Sequence, residues 1–281
     1  MKVLFVGPTL PDAARFCGAA IHVRPPTAHG DVLRAVRAGA AAIGIVDGSF
    51  EHVAPVWHKE ILHALDRGVA VLGAASMGAL RAAECAPFGM IGIGGIYRDF
   101  VSGRREDDAD VALLHGPAEL GYPALSLPLV NAEATLEKLE AEGGIAAETA
   151  GRLLHAARGL FYKDRTWAAV VGNAGLSGGT PGLLQLLHAS TVDRKRADAL
   201  DGRPQLAAAL AEHFLGRIDA HIDFHSGTDR PTVDYVYLLN DEGLSRAFGS
   251  KILYRPVEDK QGTRFNGTTK DVTMPRGVKA A

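Results

Sequence analysis

Short apolar runs alternate with segments of helical periodicity over the first 90 residues. Four runs predict strands: "KVLFV" (2–6), "AAIHV" (19–23), "AAIGIVD" (41–47) and "VAVLGAA" (69–75). The third and fourth runs are apolar throughout, which is typical of strands that are buried on both faces. Helical segments lie between the runs, and this order predicts an α/β fold with a parallel, doubly wound sheet.

Two of the helical segments carry clear end signals. "DVLRAVRAG" begins with Asp31 as a predicted N-cap and ends at Gly39. "PVWHKEILHALDRG" has Pro55 near its first helical position and Gly68 at its end. Proline at the start and glycine at the end of a helix are the expected arrangement.

The pattern changes after the glycine-rich stretch "FGMIGIGGIY". Leu and Ala recur at helical spacing over 131–170 and about 181–216, including "RPQLAAALAEHFLGRI", and predict an appended helical region packed on the sheet. From Gly249 the chain is polar and predicts an extended tail. We therefore expect an α/β core with the active site over 1–125, a helical region over 126–220, and a mixed C-terminal segment with a polar tail over 221–281.

Composition excludes several classes of protein. The chain has 281 residues, a net charge of −2 and only two cysteines, and no Lys/Arg block typical of nucleic-acid binding stands out. Its apolar stretches are shorter than the roughly 20 residues that span a bilayer. The apolar run in its first residues is too short for the hydrophobic region of a signal peptide. No P-loop or Gly-x-Gly-x-x-Gly motif occurs. We expect a cytoplasmic protein without nucleotide cofactor, nucleic acid or membrane partner.

Ser76 directly follows the fourth apolar run, where "GAASMGALRAAE" turns from strand to helix. Junctions of this kind lie at the carboxyl edge of a parallel sheet, where ligands bind in open α/β folds. Ala74, Ala75 and Gly78 are small, as in the Gly-x-Ser-x-Gly elbow of a nucleophilic serine, although Ala74 replaces the first glycine. Ser76 is therefore either a nucleophile or a plain N-cap of the following helix.

Oxyanion donors are expected around Ser76. Met77 and Gly78 begin the following helix, whose unpaired amides, that of Met77 above all, point at any group that the serine attacks. A second donor is expected from the loop after the first strand, which carries Gly7 and Thr9.

A nucleophilic serine also needs a base. Lys59 lies in the first two turns of the preceding helical segment, and its stem reaches the same edge of the sheet. Burial against apolar neighbours would lower its pKa to the range of a base. His58 is the rival base, because adjacent helical residues point about 100° apart and only one can face Ser76. A solvated lysine paired with Glu60 or Asp66 is the structural alternative.

Three further polar residues flank the serine along the chain. Arg81 and Glu84 are three residues apart and form either a surface ion pair or a site in which Arg81 holds an acidic group of the substrate. Asp47 follows the third run and either orients a site residue or caps the turn "DGSF".

The acidic segment "REDDADVALLH" (105–115) lacks zinc or EF-hand spacing and predicts a solvated acidic turn, so no metal is expected.

The run "VWHKEILHALDRGVAVLGAASMGALRAAECAPFGMIGIGGIY", followed by "DDADVALLHGPAE", resembles the TfuA-like family. The likeness extends back through "IGIVDGSFE" and "VGPTL", and more weakly forward to "LVNAEATL" and "FYKDRTW", so that it covers about residues 1 to 165. The chain departs from the family at Ala109, where a glutamate is more usual.

This resemblance implies a function. TfuA-like proteins accompany YcaO enzymes in thioamide formation on ribosomal peptides or proteins. The family is similar to hydrolases with a Ser-Lys pair, which here falls on Ser76 and Lys59. Its implied substrate is the C-terminal thiocarboxylate of a ThiS-like sulfur carrier, cleaved to release sulfide for the YcaO partner. Two alternatives remain: a non-catalytic adaptor of the YcaO enzyme, and a sulfurtransferase that carries persulfide on Cys85 or Cys17.

Overall fold

The computed structural model describes residues 1–17, 21–49, 53–176, 182–201, 220–225 and 232–238. The chain divides into two units, Met1–Leu206 and Ala207–Ala281. The second unit is described only by its two strands, β6 (Ala220–His225) and β7 (Thr232–Leu238), which pair antiparallel. The helix predicted from "RPQLAAALAEHFLGRI" and the tail predicted from Gly249 lie outside the described residues. The three predicted segments of the chain stay a prediction.

The first unit contains a sheet of five parallel strands. The strands are β1 (Lys2–Phe5), β2 (Ile21–Arg24), β3 (Ala42–Ile45), β4 (Ala70–Ala74) and β5 (Ile91–Ile93), in the order β2-β1-β3-β4-β5. β1 and β3 are buried at every position, whereas β2 at the sheet edge is mostly exposed. This burial explains the continuous apolar runs of the inner strands. The predicted α/β fold with a parallel sheet is confirmed.

Helices follow the strands and cover the sheet. They are α1 (Asp31–Arg37), α2 (His58–Asp66), α3 (Met77–Cys85) and α4 (Gly94–Val101). Side chains of α1, α2 and α3 share one apolar core with Ile43 and Ile45 of β3. Leu4 and Leu72, whose positions in their strands face the opposite side, are buried as well. Both faces of the sheet are therefore covered.

Two predicted helix starts are wrong by a few residues. Gly30, not Asp31, is the N-cap of α1, and the Asp31 carboxylate accepts the amide of Ala28 at 2.8 Å. α2 begins at His58 rather than near Pro55, because the chain stays extended while it buries Val56 completely in the core. The shift places Lys59 in the first turn of α2.

The predicted helical region is confirmed over the described residues. It consists of α5 (Leu129–Ala141), α6 (Ala147–Gly159), α7 (Trp167–Asn173), α8 (Leu183–Ala189) and α9 (Arg194–Asp201). Helices α5 to α8 share a second apolar core centred on residues such as Leu153 and Leu187. α9 contacts α4 and α5, and so connects this region with the sheet.

Candidate active site

Ser76 lies in a tight turn between β4 and α3, at the carboxyl edge of the sheet. Ala75 has a positive φ of 61°, a conformation that costs a residue with a Cβ on the order of 1 kcal/mol or more. The Ser76 amide donates to the carbonyl of Ala74 at 2.7 Å, which closes the turn. The side chain is nearly enclosed, because Ser76 is only 3% exposed. The local geometry thus resembles a strained strand-to-helix elbow.

The hydroxyl of Ser76 does not cap the helix. Ser76 occupies the N-cap position of α3, but its side chain accepts no hydrogen bond from the first turn. The amides of Ala79 and Leu80 donate instead to its carbonyl oxygen, at 2.9 and 3.4 Å. The N-cap interpretation therefore does not account for the hydroxyl.

Met77 and Gly78 have different roles at the start of α3. The Met77 amide has no hydrogen-bond partner among the residues that the structure describes, so it is available to an oxyanion. The Gly78 amide donates to the carbonyl of Val46 at 3.1 Å, which corrects the expectation that it is an unpaired oxyanion donor. A Cβ on Gly78 would overlap the carbonyl oxygen of Ile45, so glycine is needed for α3 to approach the end of β3.

Asp47 organises the loop that follows β1. One carboxylate oxygen accepts the amides of Gly7 at 2.8 Å and Thr9 at 3.0 Å, and the other accepts the Thr9 hydroxyl at 2.5 Å. Because these two amides already donate to Asp47, the structure corrects the expectation that Gly7 and Thr9 supply a second oxyanion donor. Asp47 instead holds two loops together at the edge where Ser76 lies.

Arg81, Glu84 and His58 form one polar cluster between α2 and α3. Glu84 accepts from Arg81 at 2.6 Å and lies 2.8 Å from the His58 ring, while the Arg81 Nε donates to the carbonyl of Val56 at 3.2 Å. The predicted ion pair of Arg81 and Glu84 is therefore present. His58 contacts Glu84, two turns along the helix from Ser76.

Lys59 is exposed at the first turn of α2, and apolar neighbours do not enclose it. Its side chain makes no hydrogen bond or ion pair with another residue within the described ranges. The structure thus brings Lys59 to the correct edge of the sheet, but not into the buried environment that a lysine base requires.

A groove of about 530 Å³ runs beside α3. It is lined by Leu80, Arg81, Glu84, Glu106, Asp107 and Asp108. Burial, followed by the charge of Asp107, raises the pKa of Asp108. Leu80, at one end of this lining along the chain, is one helical turn from Ser76.

The predicted acidic turn is only partly solvated. Asp110 binds Arg105 at 2.7 Å, and Arg105 also binds Glu133 of α5 at 2.5 Å. His115 lies apart from these carboxylates and contacts Gly116 and Tyr122. In the part of the chain that the structure describes, no group of three or more His, Cys, Asp or Glu side chains is arranged to hold a metal ion.

The cysteines are poorly arranged for persulfide chemistry. Cys85 is buried in the sheet core, and burial raises the pKa of its thiol. Burial also raises the pKa of the Cys17 thiol. A raised pKa leaves little of the nucleophilic thiolate at neutral pH.

Two buried charged residues of α9 reach the same edge of the sheet. Lys195 is 3% exposed, and its Nζ donates to the carbonyl of Val111 at 2.9 Å. Asp198 accepts the amides of Gly95 and Ile96 at the start of α4. The sequence gives no signal for their burial, because "DRKRADALD" resembles a solvated helix.

This protein is an open α/β protein with a buried serine at the end of an inner strand, in the position where such folds bind ligands. Residues 47–166 match the family model described as TfuA-like protein, which confirms the resemblance over that segment. The TfuA-like family is associated with YcaO enzymes. The matched segment contains Ser76 and Lys59, but neither the opening loop nor α9.

Two further findings bear on the identity of the chain. No curated protein matches it in sequence. None of the helices within the described ranges combines the length and apolar character needed to cross a membrane.

Proposed function

We propose that this protein hydrolyses the C-terminal thiocarboxylate of a ThiS-like sulfur carrier protein, and that the released sulfide serves a YcaO enzyme in backbone thioamidation of a ribosomal peptide. The observation that carries the proposal is the nearly enclosed hydroxyl of Ser76, which makes no capping bond, beside the free amide of Met77. The TfuA-like match supports the connection with YcaO enzymes.

The reaction proceeds through an ester on Ser76. Oγ attacks the thioacyl carbon while a lysine base takes its proton, and the Met77 amide stabilises the tetrahedral anion. The carbon–sulfur bond then breaks, and hydrosulfide leaves with the electron pair. Water hydrolyses the ester, so that one thiocarboxylate and one water yield one carboxylate and one hydrogen sulfide.

Access to the serine favours a narrow substrate. Ser76 is nearly enclosed, so the proposal calls for a slender substrate, and the flexible Gly-Gly end of the carrier meets this need. The groove beside α3 is a candidate path for this tail; four carboxylates line it, and Arg81 is the one cation among the described residues of its lining. Glu84 and His58 hold Arg81 in place from α3 and α2.

A sulfide-release assay tests the proposed function. The purified protein is mixed with a thiocarboxylated ThiS-like carrier, without a YcaO enzyme, and free sulfide is measured over time. We expect catalytic release from the thiocarboxylate and none from the same carrier with an ordinary carboxylate end. If no sulfide is released while the protein still stimulates thioamidation by the YcaO enzyme, the protein is an adaptor and the hydrolase proposal is wrong.

A further inference from the structure

We propose that Lys195 of α9, and not Lys59, is the base that takes the proton of Ser76; this inference rests on the proposed function. One direct contact and two indirect observations place the Lys195 side chain near the end of β4. They come from Asp198, from Asp47 and from Val111, which belong to different parts of the first unit.

Asp198 fixes α9 at the end of β5. Its carboxylate accepts the amide of Ile96 at 3.3 Å and also that of Gly95, in the first turn of α4, directly after β5. Gly94 leaves room for this carboxylate, because a Cβ there would overlap it. Lys195 lies three residues before Asp198 and therefore on the same face of α9.

Asp47, which follows β3, provides the second indication of where Lys195 lies. Burial lowers the pKa of Lys195, and the negative charges of Asp47 and Asp193 oppose this effect. The charge of Asp47, which follows β3, acts on Lys195, so the two side chains are within electrostatic range of each other. β3 and β5 flank β4 in the sheet, and adjacent strands are about 4.8 Å apart. Asp47 and Asp198 thus lie on either side of the end of β4, which Ser76 follows, and the proposal places the Lys195 amine there.

Val111 connects the Lys195 amine with the first turn of α3, by its carbonyl on one side and its side chain on the other. Its carbonyl accepts the Lys195 Nζ at 2.9 Å. Its side chain belongs to the same apolar cluster as Ala79, three residues after Ser76. In the neutral amine, one N–H donates to Val111 and the nitrogen lone pair remains to accept the serine proton.

Lys195 is enclosed by the protein, as a lysine base needs to be, whereas Lys59 is not. An enclosed amine is shifted towards its neutral form, which is the form that acts as a base. The Lys59 side chain is exposed. The ammonium formed on Lys195 returns its proton to the departing sulfur. When water attacks the ester, Lys195 takes a proton from the water and gives it to the serine oxygen, so that the enzyme is restored.

The test compares Lys195→Gln with Lys59→Gln in the sulfide-release assay, with the exposed Lys138→Gln as the matched control. Glutamine keeps an N–H for the Val111 carbonyl but supplies no base. We expect Lys195→Gln to lower kcat/KM about 10²–10⁴-fold, as the loss of a general base does, and Lys138→Gln to leave it unchanged. Thermal unfolding of each variant shows whether the fold is retained.

Two further measurements distinguish a catalytic base at Lys195 from a residue with only a structural role. The rate of the wild type rises with pH as Lys195 becomes neutral, and this rise is expected to disappear in Lys195→Gln. Methylamine added to a Lys195→Ala variant is expected to restore part of the activity, because the small amine replaces the missing base. An inert structural role for Lys195 predicts neither result.

The outcomes distinguish this inference from the proposed function. If Ser76→Ala is inactive and Lys59→Gln removes activity and the pH dependence, the assignment of Lys195 is overturned while the hydrolase stands. That result needs only the surface variant, so it decides the matter even if Lys195 variants do not fold. If Ser76→Ala keeps full activity, the proposed function itself fails.

Discussion

Ser76→Ala is expected to lower the rate of sulfide release from a thiocarboxylated carrier by at least about 10³-fold. Loss of a serine nucleophile removes the covalent route entirely, and in related chemistry only oxyanion stabilisation and binding remain. The hydroxyl makes no capping bond, so its removal leaves the start of α3 intact. The measurement is kcat/KM for sulfide release, together with the unfolding temperature of the variant.

Ser102→Ala is the matched control. Ser102 is exposed at the end of α4, where its hydroxyl donates to the carbonyl of Asp99 at 3.1 Å. We expect this variant to release sulfide at the wild-type rate. Full activity of Ser76→Ala, with equal unfolding temperatures, would leave only a structural role for the serine.

Arg105→Leu is expected to lower the free energy of unfolding by about 3–5 kcal/mol. The buried guanidinium binds Asp110 at 2.7 Å and Glu133 at 2.5 Å, and removal of one partner leaves buried carboxylates without their counter-charge. Arg158 still binds Glu133 at 2.9 Å, but from an exposed position. Urea unfolding of the variant and of the wild type measures the difference.

Arg104→Leu provides the control for this experiment. Arg104 is exposed and pairs with Asp99, which also binds Arg194 at 2.9 Å and so keeps a cationic partner in the variant. A surface ion pair contributes at most about 1 kcal/mol. Equal losses in the two variants would contradict the view that Arg105 anchors the acidic turn to α5.

The parallel sheet and the place of Ser76 are predictable from sequence because both depend on local patterns. Apolar runs such as the one before Ala75 identify inner strands, and a serine between such a run and a helix must lie at the carboxyl edge. The pair of Arg81 and Glu84 is predictable for the same reason, since residues three apart meet on a helix.

Features that depend on tertiary contacts are not predictable in this way. β5 has only three residues at the sheet edge, and its Gly92 serves to accommodate the ring of Tyr97, so the segment lacks the usual strand pattern. The contacts of Asp47 with Gly7 and Thr9 join residues about 40 positions apart. The burial of Lys195 among flanking arginines is decided by the packing of α9 on α4 and α5.

The most direct test of the account is to identify the ester on Ser76. The protein and the thiocarboxylated carrier are mixed, quenched with acid within one turnover, digested with trypsin and analysed by mass spectrometry. Cleavage after Arg67 and Arg81 gives the peptide "GVAVLGAASMGALR", in which Ser76 is the only hydroxyl-bearing side chain. We expect the C-terminal remnant of the carrier on this peptide. Rapid sulfide release with this peptide unmodified, or with the remnant on another peptide, would contradict nucleophilic attack by Ser76.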